Sequence, residues 1–317
     1  MNQKLQILIF GGGSVGLGLA SCLIKSGADV TIAAREKTSE LLHREGLFRT
    51  GIFGNDFFES SLFKAVSSVD QVKDCDFDYI LVCVKSYDTN QAADSLLPWK
   101  NSSNFILCQN GYGNRELFLS RFPDEQVFIG RVITGFRRPA PNSVDITVHA
   151  SPIRLGHPDN CRSDILKNLS DLITTGGIPT EVSSDIMKDL WAKILYNVLL
   201  NPLGAILNVP YGALGESKDT IQIINSLAKE TFKVMRLHGF QTYWSDADSY
   251  LKIFFNKLLP PTVAHESSML QDLRAGRKTE IDVLNGAIVR LAKEKKLEVP
   301  VNECICGMIR FLTSKGE

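Results

Sequence analysis

The stretch that most narrows what this chain can fold into lies at its start. An apolar run over residues 5–10 leads into Gly11-Gly-Gly13-Ser-Val-Gly16, then into a helical pattern over 17–26 and a second apolar run over 30–34. Strand, glycine turn, helix and strand at this length make one unit of a doubly wound parallel sheet, where each glycine has a mechanical task. Gly11 allows the tight turn, Gly13 lets a ligand approach the backbone, and Gly16 permits close packing of helix on strand. The helix then opens at Ser14 and Val15 with unpaired N–H groups, which together with the helix dipole favour a phosphate. A merely structural turn is the alternative. The placement between a strand and an amphipathic helix argues against it, so the N-terminal domain is expected to be of the Rossmann type and to bind a dinucleotide.

The end of the second strand discriminates between cofactors, because an acidic side chain there bonds ribose hydroxyls while an arginine pairs with a 2'-phosphate. The residues are Arg35, Glu36 and Lys37. A guanidinium fork suits phosphate, which favours NADP(H); Glu36 reaching a ribose hydroxyl is the counter-reading. Residues 78–84 and 104–108 are nearly continuous apolar runs, as parallel strands covered on both faces require. Ligands of such sheets lie beyond the carboxyl ends of the strands, which is where Lys85 and Gln109-Asn110-Gly111 follow. Both Lys85 and Asn110 are therefore candidates for one crevice, against the simpler readings of a solvated loop charge and a turn residue before glycine.

Residues 127–155 show β-like alternation and are expected to add strands to the same domain; 164–174 reads as helix and 178–182 as a last strand. From 185 onward apolar residues recur at helical spacing and strand-like runs cease. Helices are predicted at 185–200, 220–237, 245–258, 262–275, 279–295 and 302–313, broken by Pro202, Pro210, Pro260, Pro261 and Pro300. The predicted architecture is an α/β Rossmann-type N-terminal domain over 1–183 and a mostly α-helical C-terminal domain over 184–317.

Thirty-five basic residues balance 35 acidic ones, so no overall field recruits nucleic acid or an anionic membrane surface, and a small-molecule partner is favoured. Seven cysteines without regular spacing point to reduced thiols in a cytoplasm, and no spacing suggests a metal site. The N-terminus lacks the regions of a signal peptide. The longest largely apolar stretch, 194–207, contains two asparagines and a proline and is shorter than the ~20 residues of a membrane span.

Within that helical half, residues 191–202 carry Lys193, Asn197 and Asn201 among apolar neighbours. Steps of four advance a helix by about 400°, which confines the three side chains to an arc of about 80°. An ammonium and two amides on one face of an apolar helix must be paired internally or meet a polar ligand. A cavity-lining face is expected, with satisfaction by neighbouring backbone as the alternative. Further on, Thr279 and Asp282 have the spacing of a capping box, which would set Glu280 in the first turn of a helix. Whether Glu280 then faces Lys193 or the cofactor ribose is open at the level of spacing.

Taken together, Gly11-x-Gly13-x-x-Gly16, Val84-Lys85, Gln109-Asn110-Gly111, Lys193-x3-Asn197-x3-Asn201-Pro202-Leu203, Ser267-Ser268-Met269-Leu270-Gln271-Asp272, Thr279-Glu280-Ile281-Asp282 and Asn285-Gly286 resemble the 2-dehydropantoate 2-reductase, or ketopantoate reductase, family over nearly the whole chain. The resemblance implies NADPH-dependent reduction of ketopantoate to pantoate, a step of pantothenate and coenzyme A biosynthesis. By the same resemblance Lys193 is the general acid, Asn110 binds and polarises the substrate, and Asn197, Asn201 and Ser268 contact its hydroxyl and carboxylate groups. Lys85 and Glu280 would support cofactor and substrate, Arg35 would read the NADP phosphate, and dimerisation through the helical domain is implied as well. Two positions depart from the family pattern, Tyr211 after Asn208-Val-Pro and His265 ahead of Ser267, and both bear on which keto acid is taken. The competing readings are a related NAD(P)-dependent reductase of another 2-keto or 3-hydroxy acid, and a non-catalytic NADP(H) sensor.

Overall fold

The computed structural model describes residues 4–315; Met1, Asn2 and Gln3, part of the N-terminal reading above, lie outside them. The chain divides into two compact units, one made of Met1–Gln109 and Asn114–Ile186, the other of Asn110–Gly113 and Met187–Glu317.

The first unit runs β1 (Gln6–Phe10), α1 (Ser14–Lys25), β2 (Asp29–Ala33), α2 (Glu36–Glu45), β3 (Leu47–Gly51), β4 (Asp56–Phe58), β5 (Lys64–Val66), β6 (Tyr79–Val82), α3 (Thr89–Ser95), β7 (Asn104–Leu107), α4 (Asn114–Leu119), β8 (Val127–Arg131), β9 (Thr134–Ala140), β10 (Ser143–His149), β11 (Ile153–Gly156), α5 (Ser163–Thr175) and β12 (Thr180–Val182). Eight strands form one sheet in the order β12-β11-β8-β7-β6-β1-β2-β5. From β8 to β5 every pairing is parallel, while β11 lies antiparallel to β8. Alternation explains why these strands read as unbroken apolar runs: Ile7, Ile9, Leu81 and Ile106 enter a core with α1 and α5, whereas Leu8, Ile80, Val82, Phe105 and Leu107 enter a second core with α3 and α4. Both faces are covered, so both must be apolar.

Residues 127–155 add strands to this unit as expected, but not all to one sheet. Strands β9 and β10 leave to join β3 and β4 in a separate four-stranded sheet of order β4-β3-β10-β9. That sheet lies against α1: a Cβ on Gly18 would sit 2.3 Å from the Phe136 ring. Arg49, buried on β3, secures it by donating to the Gly176 carbonyl at 2.8 Å and to Asp56 at 3.0 Å.

The second unit comprises α6 (Ile186–Leu207), α7 (Tyr211–Leu214), α8 (Lys218–His238), α9 (Ala247–Ile253), α10 (Ser268–Arg274), α11 (Asn285–Glu294) and α12 (Pro300–Ser314). Three sequence expectations change here. α6 continues through Pro202 rather than ending at 200, which makes it 22 residues, long and apolar enough by composition to cross a membrane. Two-thirds of its most apolar window (67%) is buried inside the protein, so packing accounts for that apolarity. The helix expected over 262–275 begins only at Ser268, where the Ser267 hydroxyl caps it by accepting from Leu270 N at 3.0 Å. The capping box at Thr279 and Asp282 does not form: Glu280 precedes a short 3-10 turn, Ile281–Val283, and α11 starts at Asn285 after Leu284 turns out of helical geometry with ψ −104°.

Candidate active site

In the first unit, the glycine turn has the geometry its spacing predicts. Gly11 adopts φ +119°, and a Cβ there would lie 2.8 Å from the backbone of Cys83 and Val84. A Cβ on Gly16 would fall 1.9 Å from the Gly11 carbonyl. Gly13 is different, since the nearest atom to an added Cβ is the Cys83 carbonyl at 3.9 Å. The protein itself does not demand glycine at that position, which leaves the backbone open to a ligand. Gly13 is also the N-cap residue of α1, with no side-chain cap and no acidic residue in the first turn. The N–H groups at Ser14 and Val15 thus start a 12-residue helix without a competing anion. These features fit the pyrophosphate of a dinucleotide.

Arg35 ends the loop after β2 and is exposed as the N-cap residue of α2. One turn on, Thr38 Oγ1 accepts from Arg138 Nη2 at 2.6 Å. Arg138 comes from β9, 100 positions away, and sequence reading had no signal for it. Lys85 is half-buried beyond the carboxyl end of β6, as the N-cap residue of the turn Ser86–Asp88.

Asn110 follows β7 but belongs with the second unit, a placement the boundary drawn at 183 did not anticipate. The short excursion is clamped at its base, where Thr89 Oγ1 lies 2.7 Å from Gln109 Nε2 and 2.9 Å from Asn114 Oδ1. Gly111 takes φ +83° and approaches Val283 so closely that a Cβ would be 2.3 Å from its carbonyl, and Tyr112 N donates to that carbonyl at 2.9 Å. This docking fixes Asn110 beside Glu280. The Asn110 amide donates from Nδ2 to Glu280 Oε2 at 3.2 Å, while its Oδ1 accepts from Lys193 Nζ at 2.6 Å. Ammonium, amide and carboxylate form one chain, and only this amide orientation satisfies both charged neighbours.

Farther along α6, Asn201 is buried and its Oδ1 accepts from the hydroxyl of buried Tyr211 at 2.5 Å. The Ser267 hydroxyl, besides capping α10, donates to the Asn201 carbonyl at 3.1 Å. Asn110, Asn201, Ser268, Met269, Asp272 and Glu280 line one narrow cleft. Of the candidate residues in this unit, Lys193 and Asn197 are outside that lining; Lys193 reaches it only through its bond to Asn110, and Asn197 has no place in it although it shares the helix face. Asp272 was missed as a cleft residue; it is buried, and its carboxylate accepts from Arg277 Nε at 2.9 Å. Of the two departures from the family pattern, Tyr211 has a definite partner in Asn201. His265 lies in the turn before α10, its ring 5.1 Å from that of Tyr211. Burial pushes the His265 pKa below its usual value, with Glu266 opposing, so at neutral pH its ring is a neutral neighbour and not an acid. Among the described residues no group of three or more His, Cys, Asp and Glu side chains is arranged to hold a metal ion.

A sequence model described as "Ketopantoate reductase PanE/ApbA" matches residues 7–160, and one described as "Ketopantoate reductase PanE/ApbA C terminal" matches 185–313. The chain belongs to the ketopantoate reductase family. As a member it is an oxidoreductase. A 2-dehydropantoate 2-reductase of Aquifex aeolicus is 36% identical over 308 residues, 96% of each chain. The solved PanE/ApbA family ketopantoate reductase of Ralstonia eutropha JMP134 matches with a TM-score of 0.85 at 26% identity, covering 98% of this chain and 99% of that one. A D-mandelate dehydrogenase solved with NADH and anilino(oxo)acetate matches with a TM-score of 0.88 over 98% of this chain and 99% of that one. At 20% identity it speaks for the fold alone.

Proposed function

We propose that this member of the ketopantoate reductase family reduces the ketone of 2-dehydropantoate to an alcohol with NADPH, and that Lys193 is its general acid. The observation that carries the reading is the Lys193–Asn110–Glu280 chain at 2.6 and 3.2 Å beside a cleft, in a chain whose family and Aquifex aeolicus relative bear the name of that reaction. NADPH, when bound, supplies the hydride. Gly13, Ser14, Val15 and Gly16 would hold its pyrophosphate, and Arg35 its 2'-phosphate.

As the ketone carbon is reduced, negative charge builds on the carbonyl oxygen, and the ammonium of Lys193 stabilises that charge and then donates a proton from Nζ. Asn110 takes a positioning role beside the substrate-binding one implied by the resemblance. Its oxygen faces Lys193, so in this arrangement the amide aims the ammonium, and Glu280 fixes the amide in turn. Asn197, Asn201 and Ser268 would bind the substrate's hydroxyl and carboxylate. The site takes a small 2-keto acid; a cytoplasmic setting and a homodimer complete the reading, testable by cell fractionation and by sedimentation.

Replacing Lys193 by Ala should lower turnover by about 10²–10⁴-fold while NADPH binding, followed by fluorescence, is retained. Near-normal turnover in that variant would refute the assignment. One observation favours a second reading, reduction of another 2-keto acid: Asn201 spends its acceptor on Tyr211, which alters the site where a substrate hydroxyl would be read. Comparing kcat/KM for ketopantoate with that for 2-keto acids lacking the hydroxyl separates the two.

A further inference from the structure

A proline inside a helix cannot supply the N–H that the carbonyl four residues earlier needs. In α6 the proline is Pro202, and the carbonyl left without its usual donor is that of Val198, a buried residue. Asn285 fills the gap: its Nδ2 donates to Val198 O at 3.2 Å. The same nitrogen donates to Asn302 Oδ1 at 3.1 Å, and Asn302 Nδ2 donates to Glu230 Oε2 at 2.8 Å. Glu230 also accepts from the backbone N–H groups of Val301 and Asn302, both at 3.0 Å, in the first turn of α12. Asn285 and Asn302 are wholly buried and Glu230 nearly so.

The series has one direction. A carboxylate only accepts, so Glu230 turns the Asn302 amide nitrogen toward itself, which presents the Asn302 oxygen to Asn285 and commits the Asn285 nitrogen. Flipping Asn285 would set its oxygen against two acceptors. Its Oδ1 has no hydrogen-bond partner as it stands, so the donor bonds outweigh leaving a buried acceptor unmet.

We infer that Asn285 is a positioning residue for the reaction: it replaces the N–H that Pro202 lacks and thereby holds the turn of α6 from Val198 to Pro202 that aims Asn201 at the cleft. The inference rests on the reading of the Lys193, Asn197 and Asn201 face as the substrate-binding face. Three lines of packing meet at that turn, since Glu230 belongs to α8, Asn302 to α12 and Asn285 to α11. The carbonyl of a helix that would otherwise bend freely at its proline is held by three others.

The test compares Asn285→Leu, Pro202→Ala and the double variant, using steady-state KM for the keto acid, KM for NADPH, kcat and the thermal midpoint. Asn285→Leu is expected to raise the keto acid KM about tenfold, the effect of one lost buried hydrogen bond, with the NADPH KM unchanged. Alanine at 202 restores an N–H for Val198, so in that background the effect of Asn285→Leu should shrink below about threefold and the thermal midpoints should be non-additive. An unchanged keto acid KM in Asn285→Leu overturns the inference, as does an equal loss in the Pro202→Ala background or a fall confined to the thermal midpoint. Should Asn285→Leu fail to fold, a folded double variant with the KM of Pro202→Ala supports the inference, and an unfolded one overturns it. A wild-type chain that reduces no 2-keto acid sinks the catalytic reading itself, whereas an active wild type indifferent to Asn285 sinks this inference alone.

Discussion

Changing Tyr211 to Phe removes a single oxygen, and the structure says what depends on it. The Tyr211 hydroxyl lies 2.5 Å from Asn201 Oδ1, with both residues buried. Burial pushes the phenol's pKa upward, and Tyr196 adds to the effect, so the hydroxyl stays a donor across the whole working pH range. An amide is planar, so a pinned oxygen turns the nitrogen the opposite way. Asn201 lines the cleft, and among the described residues no acceptor pairs with its Nδ2. Tyr211 therefore makes Asn201 a donor toward whatever oxygen the substrate presents. Without the hydroxyl, a buried acceptor is left unmet at about 1–3 kcal/mol, and the amide is free to turn. If about 1.4 kcal/mol of that appears in substrate binding, the keto acid KM rises roughly tenfold. The remainder lowers the thermal midpoint by a few degrees at about 2–4 °C per kcal/mol. Initial rates of NADPH oxidation against keto acid concentration measure the first effect, and thermal unfolding the second. The turnover number should hold, because the bonds of Lys193 do not involve Tyr211. A lowered midpoint with an unmoved KM would show that the orientation of Asn201 is irrelevant to the substrate. A fall in kcat alone would place the hydroxyl at the reacting atoms and refute the reasoning.

Arg35→Ala should raise the Michaelis constant for NADPH by an order of magnitude or more while leaving that for NADH nearly unchanged, since a guanidinium paired with phosphate contributes about 1.5–3 kcal/mol; equal effects on the two cofactors would show that Arg35 does not read the phosphate. For His265, whose pKa burial lowers from 6.5, the unfolded chain binds the proton more readily. The stability it contributes is complete above about pH 6.5 and is lost as the pH falls through the lower folded value, so thermal midpoints measured on either side of that pH should converge in His265→Gln relative to wild type.

What could be read from the sequence was whatever is written in neighbouring residues. The turn Gly11 to Gly16, the double-faced strands β1, β6 and β7 and the stripe of α6 each occupy one continuous segment, so periodicity and glycine spacing sufficed. The second sheet was hidden because β3 pairs in parallel with β10 across nearly a hundred residues, and short half-exposed strands carry little pattern of their own. The breaks before α10 and α11 were hidden for a related reason. Residues 262–267 and 280–284 have helical spacing, yet tertiary bonds take their backbone: His265 O and Val263 O accept from Tyr211 N and Gly212 N, and Val283 O accepts from Tyr112 N. Helix propensity is a weak preference beside such bonds.

The helix α6 is, by local rules, a poor helix: it holds an ammonium and amides among apolar side chains and has a proline in its interior. These faults were visible in the sequence, and three of the groups concerned are met by partners whose pairing with α6 was not. Lys193 is met by Asn110, 83 positions away, Asn201 by Tyr211 and the Val198 carbonyl by Asn285, 87 positions away. A helix that satisfied itself would need none of these partners and would offer nothing to a substrate. Because the partners are supplied by the tertiary structure, the Lys193 ammonium, the Asn201 amide and the Val198 carbonyl are held at fixed angles before any ligand arrives, the kind of preorganisation the proposed reaction would use. The violations of local rules and the candidate site therefore coincide for one physical reason: only a polar group whose local environment cannot satisfy it depends on distant residues for its direction.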